Sequence, residues 1–234
     1  MEKIKEEVPE KLRIAVLLSF ISGYINAFTY NNAGELFAGA QTGNVIFMAL
    51  HFAKGNLEKA VEFLIPIISF MIGQIFIYCF RNFFQRRGHK GYIHSSLLML
   101  FIMIMLIVFL PFFDYHFIVV TLAFFAAIQS DTFQRLRGFS YATIMMTGNV
   151  KNAPRLLIEG LVQRDRELLV RGFLLFLIIF SFMLGVGIST YFTQFVKKSA
   201  LVPLILPLLY INYVLFKEER SVIDVVKSKI RKIK

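Results

Sequence analysis

Eight stretches of the chain contain no Asp, Glu, Lys or Arg, and this pattern constrains the fold more than any other feature of the sequence. A helix of about 20 apolar residues can span the hydrocarbon core of a bilayer. Most of the stretches are long enough, whereas the sixth is too short and the second begins with polar residues. Because 57% of the 234 residues are hydrophobic and 18% are charged, a soluble domain could not cover this apolar surface. The stretches are 14–34, 36–53, 63–80, 91–113, 115–130, 138–150, 172–196 and 199–216. They predict an all-α polytopic membrane protein.

Two parts of the chain are similar to each other. The pentapeptide Gln-Thr-Gly-Asn-Val at 41–45 returns as Met-Thr-Gly-Asn-Val at 146–150, 105 residues later. Ser-Phe-Met-Ile-Gly at 69–73 returns as Ser-Phe-Met-Leu-Gly at 181–185, 112 residues later. The second half is therefore expected to carry extra residues between its motifs, in the charged linker. The pattern predicts a single membrane domain, 1–234, made of repeat 1 at 12–113 and repeat 2 at 115–216.

The positions of Lys and Arg favour one path through the membrane. If both Thr-Gly-Asn segments dip in and return on the same side, the basic loop 81–90, the loop around Arg135 and the tail 217–234 all face the cytoplasm, as the positive-inside rule requires. This path has six spanning helices plus two re-entrant or broken segments, and both termini are cytoplasmic. Three spans per repeat make the repeats inverted. Eight spans with parallel repeats remain an alternative.

Eight residues are the candidates for lining a path through this membrane domain. Glycine tolerates unusual backbone dihedrals, and Thr and Asn can satisfy backbone groups freed where a helix breaks. Asp131 ends an uncharged stretch, which is typical of a cation or proton site. Two structural alternatives stay open: the motifs only pack the repeats together, and Asp131 only pairs with Arg135 one turn later. The candidates are Asn26, Thr42, Gly43, Asn44, Asp131, Thr147, Gly148 and Asn149.

The same residues resemble a known family. The stretch Gly-Tyr-Ile-Asn-Ala at 23–27 is followed by Gln-Thr-Gly-Asn at 41–44, and a second copy stands at 129–131 and 147–149. This pattern is similar to the YoaK-like family of small bacterial membrane proteins, also described as domain of unknown function 1275. The resemblance covers 12–216 and implies a multi-spanning protein of the bacterial inner membrane without an established activity. In the family pattern the acid belongs to the first copy and the amide to the second, whereas Asn26 and Asp131 have the reverse order.

The sequence predicts a transporter or channel rather than an enzyme. The four His are dispersed and no catalytic motif is present, so we expect no cofactor and no metal. The paired motifs favour an unidentified polar or anionic solute, with proton coupling through Asp131. The alternative is a non-transporting membrane protein with a structural or partner-binding role. Expected partners are the bilayer and, at the amphipathic basic tail, anionic lipid headgroups. Nucleic acid is not expected despite the net charge of +11, and a homodimer stays open.

Overall fold

The computed structural model describes residues 8–217 and 219, and within them the chain is almost entirely helical. Three short 3-10 segments, Val8–Glu10, Leu110–Phe112 and Lys197–Leu204, join or precede the helices. The predicted basic tail, apart from its first residues, lies outside the described residues. The helices are α1 (Leu12–Asn32), α2 (Gln41–Ala53), α3 (Leu57–Arg86), α4 (Gly91–Val108), α5 (Tyr115–Thr132), α6 (Met146–Gln163), α7 (Arg166–Val196) and α8 (205–217).

Four helical stretches within the described part of the chain are long and apolar enough to cross a membrane: α1, α3, α4 and Arg166–Lys217. The last is not one continuous α-helix. Lys197 has a φ of 47°, and the 3-10 segment that begins there separates α7 from α8. Large apolar side chains are exposed along α3 and α7, and a lipid environment accommodates such surfaces. These lengths and surfaces are those of a chain that crosses a bilayer several times.

The Ser-Phe-Met-x-Gly motifs pack two pairs of parallel helices. Ser181 on α7 donates to the Val16 carbonyl of α1, and Ser69 on α3 donates to the Val120 carbonyl of α5, both at 2.7 Å. One turn later on each helix, Gly185 lies against the backbone of Phe20, and Gly73 lies against the backbone of α5. A small residue and a hydroxyl at a helix contact are the usual means of close packing in membranes. The two motifs therefore make matching contacts, each to a first helix in the other half of the chain.

Two other helix pairs run in opposite directions. Asn212 on α8 donates to the Ser96 carbonyl of α4 at 3.3 Å. Tyr92, earlier on α4, donates at 2.7 Å to Glu219, a helical residue two positions beyond Lys217. The order of these contacts makes α4 and α8 antiparallel.

The pair α1 and α5 is also antiparallel. Gln129 on α5 donates to the Leu18 carbonyl at 3.0 Å and to Ser22 Oγ at 2.7 Å. Asn26, later on α1, and Ala126, earlier on α5, both lie next to Gly39. Residues later on α1 therefore lie beside residues earlier on α5, as in an antiparallel pair.

A small β-hairpin follows α5 and was not predicted from the sequence. Its strands are β1 (Arg135–Leu136) and β2 (Phe139–Ser140), joined by Arg137 and Gly138 with φ of 47° and 82°. Positive φ at both turn residues suits a two-residue hairpin, although Asn-Gly is the preferred sequence. The Arg137 and Gly138 N–H groups donate to the Glu10 carbonyl and carboxylate at 3.0 and 2.7 Å. The hairpin thus holds the segment before α1 against the end of α5.

Candidate functional site

Two loops precede the helices that begin with the Thr-Gly-Asn motifs, and we call 33–40 the first tip and 141–145 the second tip. The Asn44 side chain donates to the Phe37 carbonyl at 2.8 Å and accepts from the Phe37 N–H at 3.0 Å. Asn149 makes the same pair of hydrogen bonds to Ala142, at 2.7 and 3.1 Å. In each case the partner lies seven residues before the asparagine. Both asparagines are buried, and each closes its own tip.

The first tip is also held by α1. Asn26 Oδ1 accepts from the Gly39 and Ala40 N–H groups at 2.8 and 3.0 Å. Thr29 Oγ1, one turn later on α1, accepts from the Ala38 N–H at 3.0 Å. Three successive backbone donors are thereby satisfied inside the protein, which is required of irregular backbone that lies at membrane depth.

The two tips touch each other. A Cβ placed on Gly39 would lie 2.5 Å from Ile144 Cγ2 and 3.4 Å from Ala126 Cβ. Gly39 and Ile144 each stand five residues before the asparagine of their own motif, so the contact joins corresponding positions of the two tips. The exposed fraction of Ile144 is 2% and that of Ala126 is 0%. The contact between the tips is therefore buried, and the Asn26 amide nitrogen also lies 3.3 Å from the same Cβ position.

Asp131 forms an ion pair with α3. Its Oδ2 accepts from Arg81 Nη1 at 2.6 Å, and the same nitrogen donates to the Asp131 carbonyl at 2.7 Å. About a quarter of each side chain is exposed, 27% for Arg81 and 21% for Asp131. The partner of Asp131 is therefore Arg81, and the alternative pairing with Arg135 is wrong. The pair joins the ends of α3 and α5.

A charged cavity of about 260 Å³ surrounds this ion pair, and we call it the Asp131 cavity. The segment before α1 and the end of α5 form much of its wall. The Nε atom of Arg81 is buried and has no hydrogen-bond partner within the described residues. The lining includes Glu10, Arg81, Tyr92, Asp131, Thr132 and Arg135. Two carboxylates and two guanidinium groups therefore meet in one small cavity.

A second cavity, of about 530 Å³, lies at the other end of α1, and we call it the Asn26 cavity. None of its lining residues is charged. Asn31 on α1 donates to Thr190 on α7 at 3.1 Å within it. The lining includes Asn26, Tyr30, Asn31, Phe47, Phe182 and Thr190. The two cavities thus differ in charge and lie beyond opposite ends of the α1–α5 crossing.

One face of α5 leads from the tip contact to the Asp131 cavity. Ala126 touches the tip contact, Gln129 follows one turn later, and Thr132 lines the cavity. The distance along this face is about 9 Å at 1.5 Å per residue. Gln129 Oε1 and Thr132 Oγ1 are buried and without a hydrogen-bond partner in the part of the chain that the structure describes. Unpaired buried polar atoms are rare, and a role in function is one explanation for them.

The structure separates the eight predicted site residues into groups. Asn26 and Asp131 each line a cavity, but not the same one. Neither cavity is lined by the Thr-Gly-Asn motifs. Asn44 and Asn149 bind their own tips, and Gly43 lies under the Phe37 ring. The remaining three residues are exposed at the starts of α2 and α6. Those three are Thr42, Thr147 and Gly148.

Sequence reasoning missed Arg81 and Glu10 as site residues. Both stand among charged residues of loops or helix ends, and no local pattern connects them to Asp131. Gln129 could have drawn attention to this site, because it is a polar residue in an apolar stretch two positions before Asp131. No three His, Cys, Asp or Glu side chains come together as a metal site within 8–217 and 219.

Apolar helices of spanning length, broken segments that meet inside the protein, and buried polar contacts between helices define a multi-pass, all-α membrane protein. The chain belongs to the family described as a protein of unknown function, DUF1275, whose model matches residues 14–214. The resemblance predicted from the sequence is thereby confirmed at the level of the family. Comparison with curated proteins gave no match, and comparison with solved structures gave none.

Proposed function

We propose that the protein is a small proton-coupled transporter for an anionic solute, built from two inverted repeats, 12–113 and 115–216. One observation carries the proposal: two broken segments meet tip to tip between two cavities at opposite ends of α1. Interrupted helices that meet near the midplane at a repeat interface are the arrangement of many secondary transporters. The closed contact of Gly39 with Ile144 suits a transporter in an occluded state better than an open channel.

Six spanning helices with two re-entrant segments agree with the helix directions. In the six-span path, α1 and α5 cross the membrane in opposite directions, as do α4 and α8. In the parallel eight-span path, both of these pairs would share a direction. The order of the contacts along α1 and α5, and along α4 and α8, makes both pairs antiparallel. In addition, α2 has 13 residues, about 20 Å at 1.5 Å per residue, which is too short to cross.

The topology can be tested with single cysteines in a Cys79→Ser background. By the positive-inside rule, both termini and the turn between α6 and α7 face the cytoplasm. Lys54→Cys, in the turn before α3, is expected to react with an impermeant maleimide on intact cells. Lys90→Cys and Gln163→Cys are expected to react only after permeabilisation. Labelling of Lys90→Cys from outside with protection of Lys54→Cys and Gln163→Cys would instead support eight spans.

Arg81 and Asp131 provide the coupling in this proposal. While Asp131 is ionised, its carboxylate is paired with the Arg81 guanidinium and competes with a solute anion for that cation. Protonation of Asp131 removes that competitor, so that a solute anion can take its place on Arg81. Proton and anion then bind together, and neither binds well alone. The other charged groups that face the cavity are Glu10, whose carboxylate accepts from the Gly138 N–H, and Arg135.

Flux measurements in proteoliposomes test this mechanism. With pyranine inside, an inward gradient of chloride, nitrate, phosphate or glutamate is expected to acidify the lumen for at least one of these anions. Arg81→Gln is expected to reduce that flux by about tenfold or more, because a charge-assisted hydrogen bond contributes about 1.5–3 kcal/mol. Asp131→Asn is expected to abolish the proton signal while anion uptake, followed with a radioactive tracer, continues.

The matched control is Arg171→Gln, which removes a guanidinium of similar exposure that pairs with Glu167 on its own helix, contacts the Phe139 ring and lines neither cavity. It should transport like the wild type, and melting temperatures should show that all three variants fold. Absence of acidification with all four anions contradicts the proposal. So does wild-type flux with an unchanged pH dependence in Asp131→Asn. Either result favours a non-transporting role, for which the buried tip contact and the hydrogen bonds of Asn44 and Asn149 to their own tips are the supporting observations.

A further inference from the structure

The outward face of α6 carries two cations in an otherwise apolar setting. Lys151 and Arg155 are one turn apart, and both side chains are exposed. Neither has an ion pair or hydrogen bond to any residue that the structure describes. Glu159, the acid on the same helix, accepts a hydrogen bond from Gln163 instead. Farther along this face, Ile158 is 61% exposed, so the cations adjoin apolar surface.

The depth of these cations follows from the packing of α6 on α7. Gly160 lies against Asp165 and Leu169, and Gly172 lies against Leu157, so the helices are antiparallel. Gly172 begins the uncharged stretch of α7. Lys151 lies six residues before Leu157, about 9 Å farther along α6 at 1.5 Å per residue. It therefore stands beside the apolar part of α7. Side chains tilt toward the N-terminus of their helix, which here directs both cations away from the charged turn.

The first half of the chain has apolar residues at the corresponding places. Two and six residues after the asparagine of the motif, α6 has Lys151 and Arg155, whereas α2 has Ile46 and Leu50. Ile46 is 53% exposed and Leu50 46% exposed, as expected for contact with lipid tails. The two cations are thus present on α6 and absent from the corresponding positions of α2. Cations at this depth need a counter-charge that belongs to the membrane or to the protein.

We propose that Lys151 and Arg155 bind the phosphate of an acidic phospholipid from the leaflet that surrounds α6. Its acyl chains would extend from the cations toward the N-terminus of α6 and the membrane midplane, past the exposed side chains of Val150 and Met145. Lys and Arg side chains at the cytoplasmic side of membrane helices attract acidic headgroups by about 1 kcal/mol per cation. The site depends on the position of α6 beside α7 and not on transport, so it can fail or succeed independently of the proposed function.

The experiment uses the full chain in detergent, titrated with phosphatidylglycerol, phosphatidylcholine or inorganic phosphate, with native mass spectrometry and melting temperature as readouts. Phosphatidylglycerol is expected to bind and to raise the melting temperature, and the other two are expected to do neither. Lys151→Gln with Arg155→Gln should weaken phosphatidylglycerol binding by roughly 10- to 30-fold, since each cation contributes about a tenfold factor or less.

Two further double variants keep the test decisive. Lys151→Ile with Arg155→Leu copies the residues of α2, preserves an apolar membrane surface, and should lose phosphatidylglycerol binding equally. Arg86→Gln with Lys90→Gln removes two exposed cations elsewhere with the same spacing, and should bind like the wild type. Unchanged binding in both α6 variants overturns the proposal, as does an equal loss in the Arg86–Lys90 variant. Inorganic phosphate that competes with the lipid at equal concentration would identify a free anion as the ligand and would also overturn it.

Discussion

The Gly185→Ala protein is expected to be much less stable than the wild type, whereas Gly187→Ala should be unchanged or slightly more stable. A Cβ at position 185 would lie 2.1 Å from the Phe20 carbonyl oxygen and 2.9 Å from the Tyr24 nitrogen. Both are backbone atoms of α1, so α1 and α7 would have to separate. Overpacking of this kind costs about 1–3 kcal/mol and occasionally more. A Cβ at 187 meets nothing within 4 Å, and alanine is the better helix former by about 1 kcal/mol.

Both variants can be compared with the wild type by thermal unfolding in the same detergent. The expected difference between them separates the helix contact from any general effect of replacing glycine in α7. Equal melting temperatures for the two variants would show that α1 and α7 do not approach as closely as the structure has them.

Asn26→Leu is expected to lower the free energy of unfolding by about 2–6 kcal/mol, because one buried and one partly buried N–H group lose their acceptor and each costs about 1–3 kcal/mol. These donors belong to Gly39 and Ala40. Asn32→Leu is the matched control on the same helix. Among the described residues, Asn32 donates only to the Phe28 carbonyl of its own helix, at 2.8 Å, and it is half-buried, so its loss should have a small effect.

Hydrogen exchange of a peptide that covers 36–41 gives a local readout beside the stability measurement. The Gly39 and Ala40 amides should exchange faster in Asn26→Leu and unchanged in Asn32→Leu. Equal protection in both variants would contradict the assignment of Asn26 as the residue that holds the first tip.

Most of the helices could be predicted because their signal is local. The uncharged stretch 172–196 makes up most of α7, and 91–113 contains α4, since an apolar segment of that length has few other stable forms in lipid. The exact ends depended on other features. Thus α5 continues through Asp131 to Thr132, because the ion pair with Arg81 accommodates the acid. The hairpin at 135–140 was missed because Arg-Gly is a weak turn signal.

The candidate site could be predicted only in part. The Thr-Gly-Asn motifs were expected where helices are interrupted, and they do stand in the first turns of α2 and α6. The role of Asn44 in holding its own loop could be predicted in principle, because its partner Phe37 is only seven positions away. The role of Asn26 was not, because an asparagine in an apolar helix can equally line a path or satisfy a loop. Its acceptor role depends on where Gly39 and Ala40 come to lie.

By itself, the sequence determined the membrane class, the main apolar helices, the matching motifs and the family, because hydropathy and short motifs are properties of neighbouring residues. Only the tertiary structure decided which distant residues contact each other. It paired Asp131 with Arg81, 50 residues away, brought Gly39 against Ile144, and packed each Ser-Phe-Met-x-Gly helix on a helix from the other half. Such contacts join residues far apart in the chain, and many pairings share the same local pattern. The choice among them comes from close packing and from the need to satisfy every buried polar group at once.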